Sequence, residues 1–372
     1  MSGADTADLA RRLERARDGA TGARLDSLLV TPGPDLRYLV GYDAVPLERL
    51  TCLVVRPGAD PVLVVPLLER PAAEASPAGA LGIGIRTWTE TDDPYALVAE
   101  LVPAGGTVGV DDHMWAAKVL GLRDAMPGAR QVLAGGVLHA LRMRKSQAEI
   151  DALQRAADAI DRVHAQVAGL LRPGRSEREV GRDIADLILA EGHVTADFVI
   201  VASGPNGASP HHEVSDRILQ QGDAVVVDIG GTMPDGYCSD ETRTYSLGDP
   251  GARYREHYAA LQESQASATA GVRPGVPCEA IDGIARRHLE DAGLGEYFIH
   301  RTGHGIGLET HEDPYIVTGN RLPLEPGMAF SIEPGFYIPG EFGARIEDIV
   351  VCGDEGPIVL NRRPHDLVVV PA

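Results

Sequence analysis

The chain has 372 residues, a hydrophobic fraction of 44% and a formal net charge of −20, which points to a soluble globular protein of two domains. No Lys/Arg cluster is large enough for the basic face of a nucleic-acid binder, and no apolar run approaches the roughly 20 residues that span a bilayer. Neither nucleic acid nor membrane is therefore expected as a partner.

The start of the chain, residues 1–19, is charged and helix-like, without an apolar stretch and small-residue cleavage site, so it does not read as a secretory signal. Residues 25–30 read as a strand followed by a Pro-Gly-Pro turn. Residues 51–56 and 61–65 read as a hairpin across Pro57-Gly58-Ala59-Asp60. Asp92-Asp93-Pro94 is a helix start, and 82–87 and 107–110 are further strands. Together they make a small α/β domain with no catalytic cluster. The four cysteines, Cys52, Cys238, Cys278 and Cys352, are scattered and form no C-x-x-C pair, which argues against structural zinc and fits a reduced, cytoplasmic protein. Cys238, close to Asp240, reads as packing.

The basic stretch Leu141-Arg142-Met143-Arg144-Lys145-Ser146 marks a domain boundary, giving domains 1–140 and 141–372. Ser146 and Glu149 form a capping box, and a helix is expected over 147–170. Beyond it lies an internal repeat. Arg172-Pro173-Gly174 recurs as Arg273-Pro274-Gly275, each followed by a helical stretch ending near Gly192 or Gly293. Gly222-Asp223-Ala224 with Asp228 and Gly230 recurs as Gly327-Met328-Ala329 with Glu333 and Gly335. A hairpin follows each, turning near Pro234-Asp235-Gly236 and Pro339-Gly340-Glu341, and each delivers a second acid, Asp240 or Glu347. A duplicated helix-plus-hairpin unit with a pseudo-twofold axis is expected.

The repeat pairs Asp228 with Glu333 and Asp240 with Glu347. Asp228 follows three valines and Glu333 follows Phe330-Ser331-Ile332, poor places for unpaired charge. Two divalent cations would neutralise the four acids. Asp228 and Glu333 are then expected as terminal ligands on opposite metals, Asp240 and Glu347 as bridges, and His304 as the ligand that completes one metal. Oxygen-rich ligation with one imidazole suits manganese, with cobalt or zinc also compatible. Read one at a time, such acids are as well explained by caps and salt bridges. Gly303-His304-Gly305-Ile306-Gly307 lacks the spacing of a phosphate loop and reads as backbone clearance around His304. His211 and His311 lie in loops beside the acids and are candidate substrate contacts. His300, Arg321 and Arg345 are further candidates for substrate binding. Arg345 alternatively supports a ligand carboxylate, and Arg321 alternatively is a solvated loop residue. His212 reads as an exposed neighbour.

The set Val-Asp-Ile-Gly at 227–230, Ser-Asp-Glu-Thr-Arg-Thr at 239–244, Gly-His-Gly-Ile-Gly-Leu-Glu-Thr-His-Glu at 303–312, Ile-Glu-Pro-Gly at 332–335 and Arg-Ile-Glu-Asp at 345–348 resembles the pita-bread metallopeptidases. Within them the chain resembles the Xaa-Pro peptidases, prolidase and aminopeptidase P. Ser209-Pro210-His211 resembles the loop that carries a catalytic histidine, and Arg37-Tyr38-Leu39-Val40-Gly41-Tyr42 resembles the creatinase/prolidase N-terminal domain. The resemblance implies an α/β (α+β) protein: a creatinase/prolidase-like N-terminal domain, then a C-terminal pita-bread domain with a curved antiparallel sheet flanked by helices. It implies metal-dependent cleavage before proline with a bridging water as nucleophile, catalytic roles for His211, His311 and Glu333, a small peptide as substrate, and a homodimer. An Xaa-Pro dipeptidase is the leading expectation. The alternatives are an aminopeptidase P acting on longer peptides and a non-peptidase relative on the same fold. Asp35 and His212 depart from the pattern of many relatives, and His212 stands where it would narrow the entrance or alter specificity.

Overall fold

The computed structural model describes residues 6–371; the first residues of the helix-like N-terminal stretch lie outside them. Residues up to Arg142 form one compact unit and those from Met143 another.

The first unit is built on six strands: β1 (Ser27–Val30), β2 (Cys52–Arg56), β3 (Ala59–Pro66), β4 (Gly84–Trp88), β5 (Thr107–Val110) and β6 (Arg130–Leu133). They lie in the order β4-β3-β2-β1-β5-β6. The β1–β2–β3 pairs are antiparallel and the outer pairs parallel. Leu28, Leu29, Val30, Leu53 and Val54 are fully buried, as expected of central strands covered on both faces. The hairpin turn is tighter than the sequence suggests. Arg56 pairs directly with Ala59 because Gly58 takes a left-handed conformation (φ 72°), so Ala59 and Asp60 join β3. The Asp93 carboxylate caps Pro94–Ala99 by accepting from the amides of Tyr95 and Ala96. The Pro-Gly-Pro turn is the entrance to a short helix, Pro34–Val40, whose proline sits where a missing N–H costs nothing. Asp35 is buried there against Arg142 Nη1 at 2.9 Å.

The second unit has four long helices, Gln147–Leu170, Glu177–Ala190, Ala252–Gly271 and Cys278–Asp291. The Ser146/Glu149 capping box is present, and Ser176 and Glu179 form another. The strands are β7 (Thr195–Ser203), β8 (Ala224–Thr232), β9 (Cys238–Leu247), β10 (Gly303–Gly305), β11 (Glu312–Ile316), β12 (Ala329–Ile332), β13 (Gly335–Ile338), β14 (Phe342–Arg345), β15 (Asp348–Cys352), β16 (Pro357–Val359) and β17 (Val368–Val370). They form sheets β17-β9-β8-β7 and β11-β10-β12-β15-β16 and the ribbon β13-β14.

Alternation along the strands decides which side chains meet the helices. Val225, Val227 and Ile229 pack with Ile160, Val163, Ile184 and Ile188. Phe330, Ile332 and Val350 pack with Leu261, Ile281 and Leu289. Asp228, Asp240 and Glu347 therefore share the opposite face.

The two hairpins are not copies in detail. In the first, β8 and β9 pair without interruption, with Gly230 opposite Asp240 and Asp228 opposite Thr242. In the second, pairing breaks at Glu333-Pro334 and Ile346-Glu347, leaving β12 on β15 and β13 on β14. The residue opposite Gly335 is Arg345. This corrects the repeat as read from sequence: by register the counterpart of Asp240 is Arg345, and that of Glu347 is Thr242. Because the offset is two residues, both acids still face the same side.

A buried ion pair at the start of the unit, Lys145 with Glu312, helps to hold it. Lys145 Nζ lies 2.5 Å from Glu312 Oε1, with the side chains 1% and 7% exposed. Replacing Lys145 by Met leaves that carboxylate buried without its cation, which should cost about 3–5 kcal/mol. The double variant Lys145→Met/Glu312→Leu should recover most of it. Urea unfolding followed by circular dichroism would show this, and an unchanged midpoint in the single variant would refute it.

Candidate metal centre

Three strands and two strand breaks bring Asp228, Asp240, His304, Glu333 and Glu347 together. Asp228 is central in β8 and Asp240 near the start of β9. His304 is the middle residue of β10. Glu333 follows β12 and Glu347 precedes β15. Among the described residues, donor atoms of Asp240, His304 and Glu347 lie within 4.8 Å of one another. His304 Nε2 is 3.2 Å from Glu333 Oε1 and 3.6 Å from Asp240 Oδ2. The glycines around His304 are required by close approach: a Cβ at Gly303 or Gly305 would overlap the Ser331 or Asp313 carbonyl oxygen.

Neutral groups and one cation orient the set. Arg345 Nη2 donates to Asp228 Oδ2 at 2.5 Å, Nε to Thr242 Oγ1 at 3.1 Å and Nη1 to Tyr337 Oη at 2.7 Å. Thr242 Oγ1 donates to Glu347 Oε2 at 2.7 Å. Ser331 Oγ donates to Glu333 Oε1 at 3.0 Å and accepts from the His304 amide at 3.0 Å. These donors do not balance the charge. Burial first, then the neighbouring carboxylates, push Asp240 and Glu347 well above the ordinary carboxyl range. Glu333 goes the other way: burial pushes it up, but the hydrogen bond and charge of His304 outweigh this and hold it low.

A cation fits the cluster on three observations. Asp228 Oδ1 is buried and has no hydrogen-bond partner, an acceptor that normally costs free energy to desolvate. His304 Nδ1 is 3.1 Å from the Gly305 carbonyl oxygen; a proton kept there lets Nε2, which faces the carboxylates, give up its own proton and become the ligand nitrogen when a cation binds. The donor set of four carboxylates and one imidazole is that of a divalent ion.

The other expected residues divide. His311 stacks edge-on against His304, with ring centroids 4.0 Å apart. Desolvation, then the positive charges of His304 and Arg301, lower it to about 4, so it is neutral at pH 7. His211 is exposed, close enough for its charge to act on His311, and the Pro210 carbonyl before it accepts from Arg345 Nη1 at 3.4 Å. His300 Nε2 is 2.8 Å from Tyr337 Oη, and burial first lowers it to about 4. Arg345 supports the Asp228 carboxylate, one of the two roles read for it. Arg321 is not brought to the cluster: its side chain is 87% exposed and 3.6 Å from Glu279. His212 is not an exposed neighbour; its Nε2 bonds the buried carboxylate of Glu177 at 2.8 Å. Cys238 is buried and pushed up to about 11 by desolvation, as packing predicts.

Sequence reasoning missed Thr242, Ser331 and Tyr337. The first two were legible, since Thr242 alternates with Asp240 and Ser331 with Glu333. Tyr337 had no such signal, because it lies beyond the break that separates β12 from β13.

Residues 151–354 match the model of metallopeptidase family M24, and residues 12–144 that of the creatinase/prolidase N-terminal domain. The chain is 53% identical over 363 residues to the probable dipeptidase PepE of Mycobacterium tuberculosis, covering 97% of this chain and 96% of that protein. It is 36% identical over 347 residues to the Xaa-Pro dipeptidase of Lactobacillus helveticus, covering 90% and 92%. The crystal structure of dipeptidase PepE from Mycobacterium ulcerans superposes with a TM-score of 0.96 at 55% identity, over 100% of both chains. The expected fold, a creatinase/prolidase N-terminal domain followed by a pita-bread domain, is borne out. No described helix is long and apolar enough to cross a membrane.

The electrostatics predict how the metal-free protein responds to pH. Asp240 and Glu347 are raised in the folded state, so the stability they contribute is complete below the ordinary carboxyl pKa, about 4, and is lost as pH rises through the raised values. Glu333 is lowered, and its contribution is present above that same range and lost only on acidification. Between about pH 5 and 8 the chelated protein should therefore lose stability as pH rises. A divalent cation should restore it while releasing protons. Thermal unfolding with and without metal, and proton release in weak buffer, would test this. A pH-independent midpoint indifferent to metal would contradict it.

Proposed function

The chain belongs to metallopeptidase family M24, and from that premise we propose that it hydrolyses the bond before proline in Xaa-Pro dipeptides. The observation that carries the reading is the convergence of Asp228, Asp240, His304, Glu333 and Glu347 on one side of the strands, with Asp228 Oδ1 buried and unpartnered. These five residues would hold two divalent cations, manganese favoured, which when bound supply a water of lowered pKa and polarise the scissile carbonyl.

The rest of the chemistry falls to the chain's own groups. Glu333 takes the proton of the attacking water and delivers it to the leaving nitrogen. That delivery matters because proline nitrogen in a peptide carries no hydrogen. His311, held neutral, donates to the carbonyl or the developing oxyanion. His211 approaches the substrate from the other side. His300, bonded to Tyr337, lines the substrate's path, and Arg345 orients Asp228. The proposal confines catalysis to domain 141–372, with domain 1–140 carrying no catalytic residue, and takes the enzyme to be a cytoplasmic homodimer. The names of the relatives from Mycobacterium and Lactobacillus favour dipeptides over longer peptides.

Manganese-loaded protein should cleave a Leu-Pro dipeptide faster than a Leu-Pro-Xaa tripeptide. Asp240→Ala should abolish cleavage, and His211→Ala or His311→Ala should lower kcat by about 100- to 1,000-fold. Preference for the tripeptide would move the activity to an aminopeptidase P. Cleavage of neither, with metal bound, would refute the proline specificity.

A further inference from the structure

His211 and His212 are adjacent, yet only His212 is anchored. Its partner Glu177 is fully buried, the first residue of the helix Glu177–Ala190. Glu177 Oε1 accepts from the Ser203 amide (2.8 Å), Ser203 Oγ (2.6 Å) and Asn206 Nδ2 (3.0 Å). Oε2 accepts from Asn206 Nδ2 (3.1 Å), the Ser215 amide (3.2 Å), Ser215 Oγ (2.6 Å) and His212 Nε2 (2.8 Å). The segment 203–217 thus closes around one carboxylate. Arg217 fastens its end, donating to Ser203 Oγ at 2.6 Å and pairing with Asp223 at 2.6 Å.

Glu177 does not need His212 to be satisfied. A carboxylate has about four lone-pair sites, and the serines and Asn206 already fill them. The loop does need it. Among the described residues, His212 is the only side chain of 207–214 that makes a hydrogen bond. His211 makes none, and the Pro210 carbonyl just before it touches Arg345, which orients Asp228.

We infer that His212 and Glu177 form a latch that holds the loop so that His211 faces the substrate. His212 is a positioning residue that acts through His211. The contact also explains how a bulky residue follows His211 without filling the entrance, since its ring is turned inward and only 16% exposed. The inference rests on the reading of His211 as a substrate contact.

Two measurements separate the latch from that reading. In His212→Ala, amide hydrogen exchange over 207–214 should rise about tenfold, the effect of losing one charge-assisted bond, while the helix Glu177–Ala190 and metal content stay unchanged. The kcat/KM for Leu-Pro should fall about tenfold, mostly in kcat, with His212→Gln, which keeps a donor, recovering most of it. In a His211→Ala background, His212→Ala should change kcat/KM less than about twofold, because coupled residues are not additive. Unchanged exchange would overturn the latch, and fully additive losses would overturn its action through His211. If the wild type cleaves no Xaa-Pro peptide, the functional reading fails, and the exchange result still decides the latch.

Discussion

Four carboxylates gathered around one imidazole, on the buried side of two sheets, set the terms for the rest of this unit. Burial and mutual repulsion oppose such a set. Arg345 is the only cation whose hydrogen bonds enter it among the described residues, through Asp228. The strands tolerate it because their other faces are mostly apolar and packed on helices. The peptide that carries Glu347 is also gripped from behind. Arg243 Nη1 donates to the carbonyl oxygens of Thr242 and Glu347, and Nη2 to Asp348 Oδ1 at 2.7 Å. Asp348 Oδ2 in turn accepts from Gln265 and faces His365 at 2.7 Å. Such a network rigidifies because every member would be costly to leave unpaired. Alternation thus puts charge chemistry on one side of residue 347 and its support on the other.

The break in the second hairpin has a specific consequence. Pro334 has no N–H with which to continue a ladder, so pairing stops, and the Glu333 amide donates instead to the Thr302 carbonyl at 2.8 Å. Thr302 lies just before the strand that carries His304, and Ser331 closes the link from the other end. Losing regularity at one proline therefore brings an acid from one strand against the imidazole of its neighbour. The first hairpin, paired throughout, presents only Asp228 and Asp240. The asymmetry that lets one histidine serve a duplicated frame arises here rather than at His304 itself.

Much of this was legible in the sequence, for identifiable reasons. Asp228 after three valines, Gly-His-Gly, and the recurring frame of an acid followed two residues later by glycine, Asp228/Gly230 and Glu333/Gly335, carry their own physical explanation. The helix 147–170 was readable from its cap and period. Other features needed the third dimension. The two-residue offset between Asp240 and Glu347 is invisible without register, because either alignment supplies an acid after a turn. His212 seemed exposed because its partner lies 35 residues earlier at the start of a helix. Arg321 was readable both as a substrate contact and as a solvated loop residue; the second holds, and its place beside Glu279 on the surface depends on how that loop lies against the helix Cys278–Asp291. Local chemistry could be read; partners distant in sequence could not.

The treatment of other buried acids sharpens the case for a cation. Glu177 is pushed up by burial, yet hydroxyl, amide and imidazole donors bring it down to about 2. Asp282 is likewise held low by Arg286, Thr318 and Thr302 against its burial. These two acids, which serve the fold, are surrounded by donors. Glu241, on the helix face, is held up by burial with Arg243 opposing; that arginine pairs with it at 3.1 Å, although neither of its oxygens has a hydrogen-bond partner. Asp240 and Glu347 have no such pairing. Glu347 has a single hydroxyl donor, Thr242, the neighbours of both acids are mostly further carboxylates, and Asp228 keeps an oxygen without a hydrogen-bond partner. Asp240 and Glu347 are left short of positive charge where Glu177 and Asp282 are supplied with donors, and the physical role that fits the gap is to bind it.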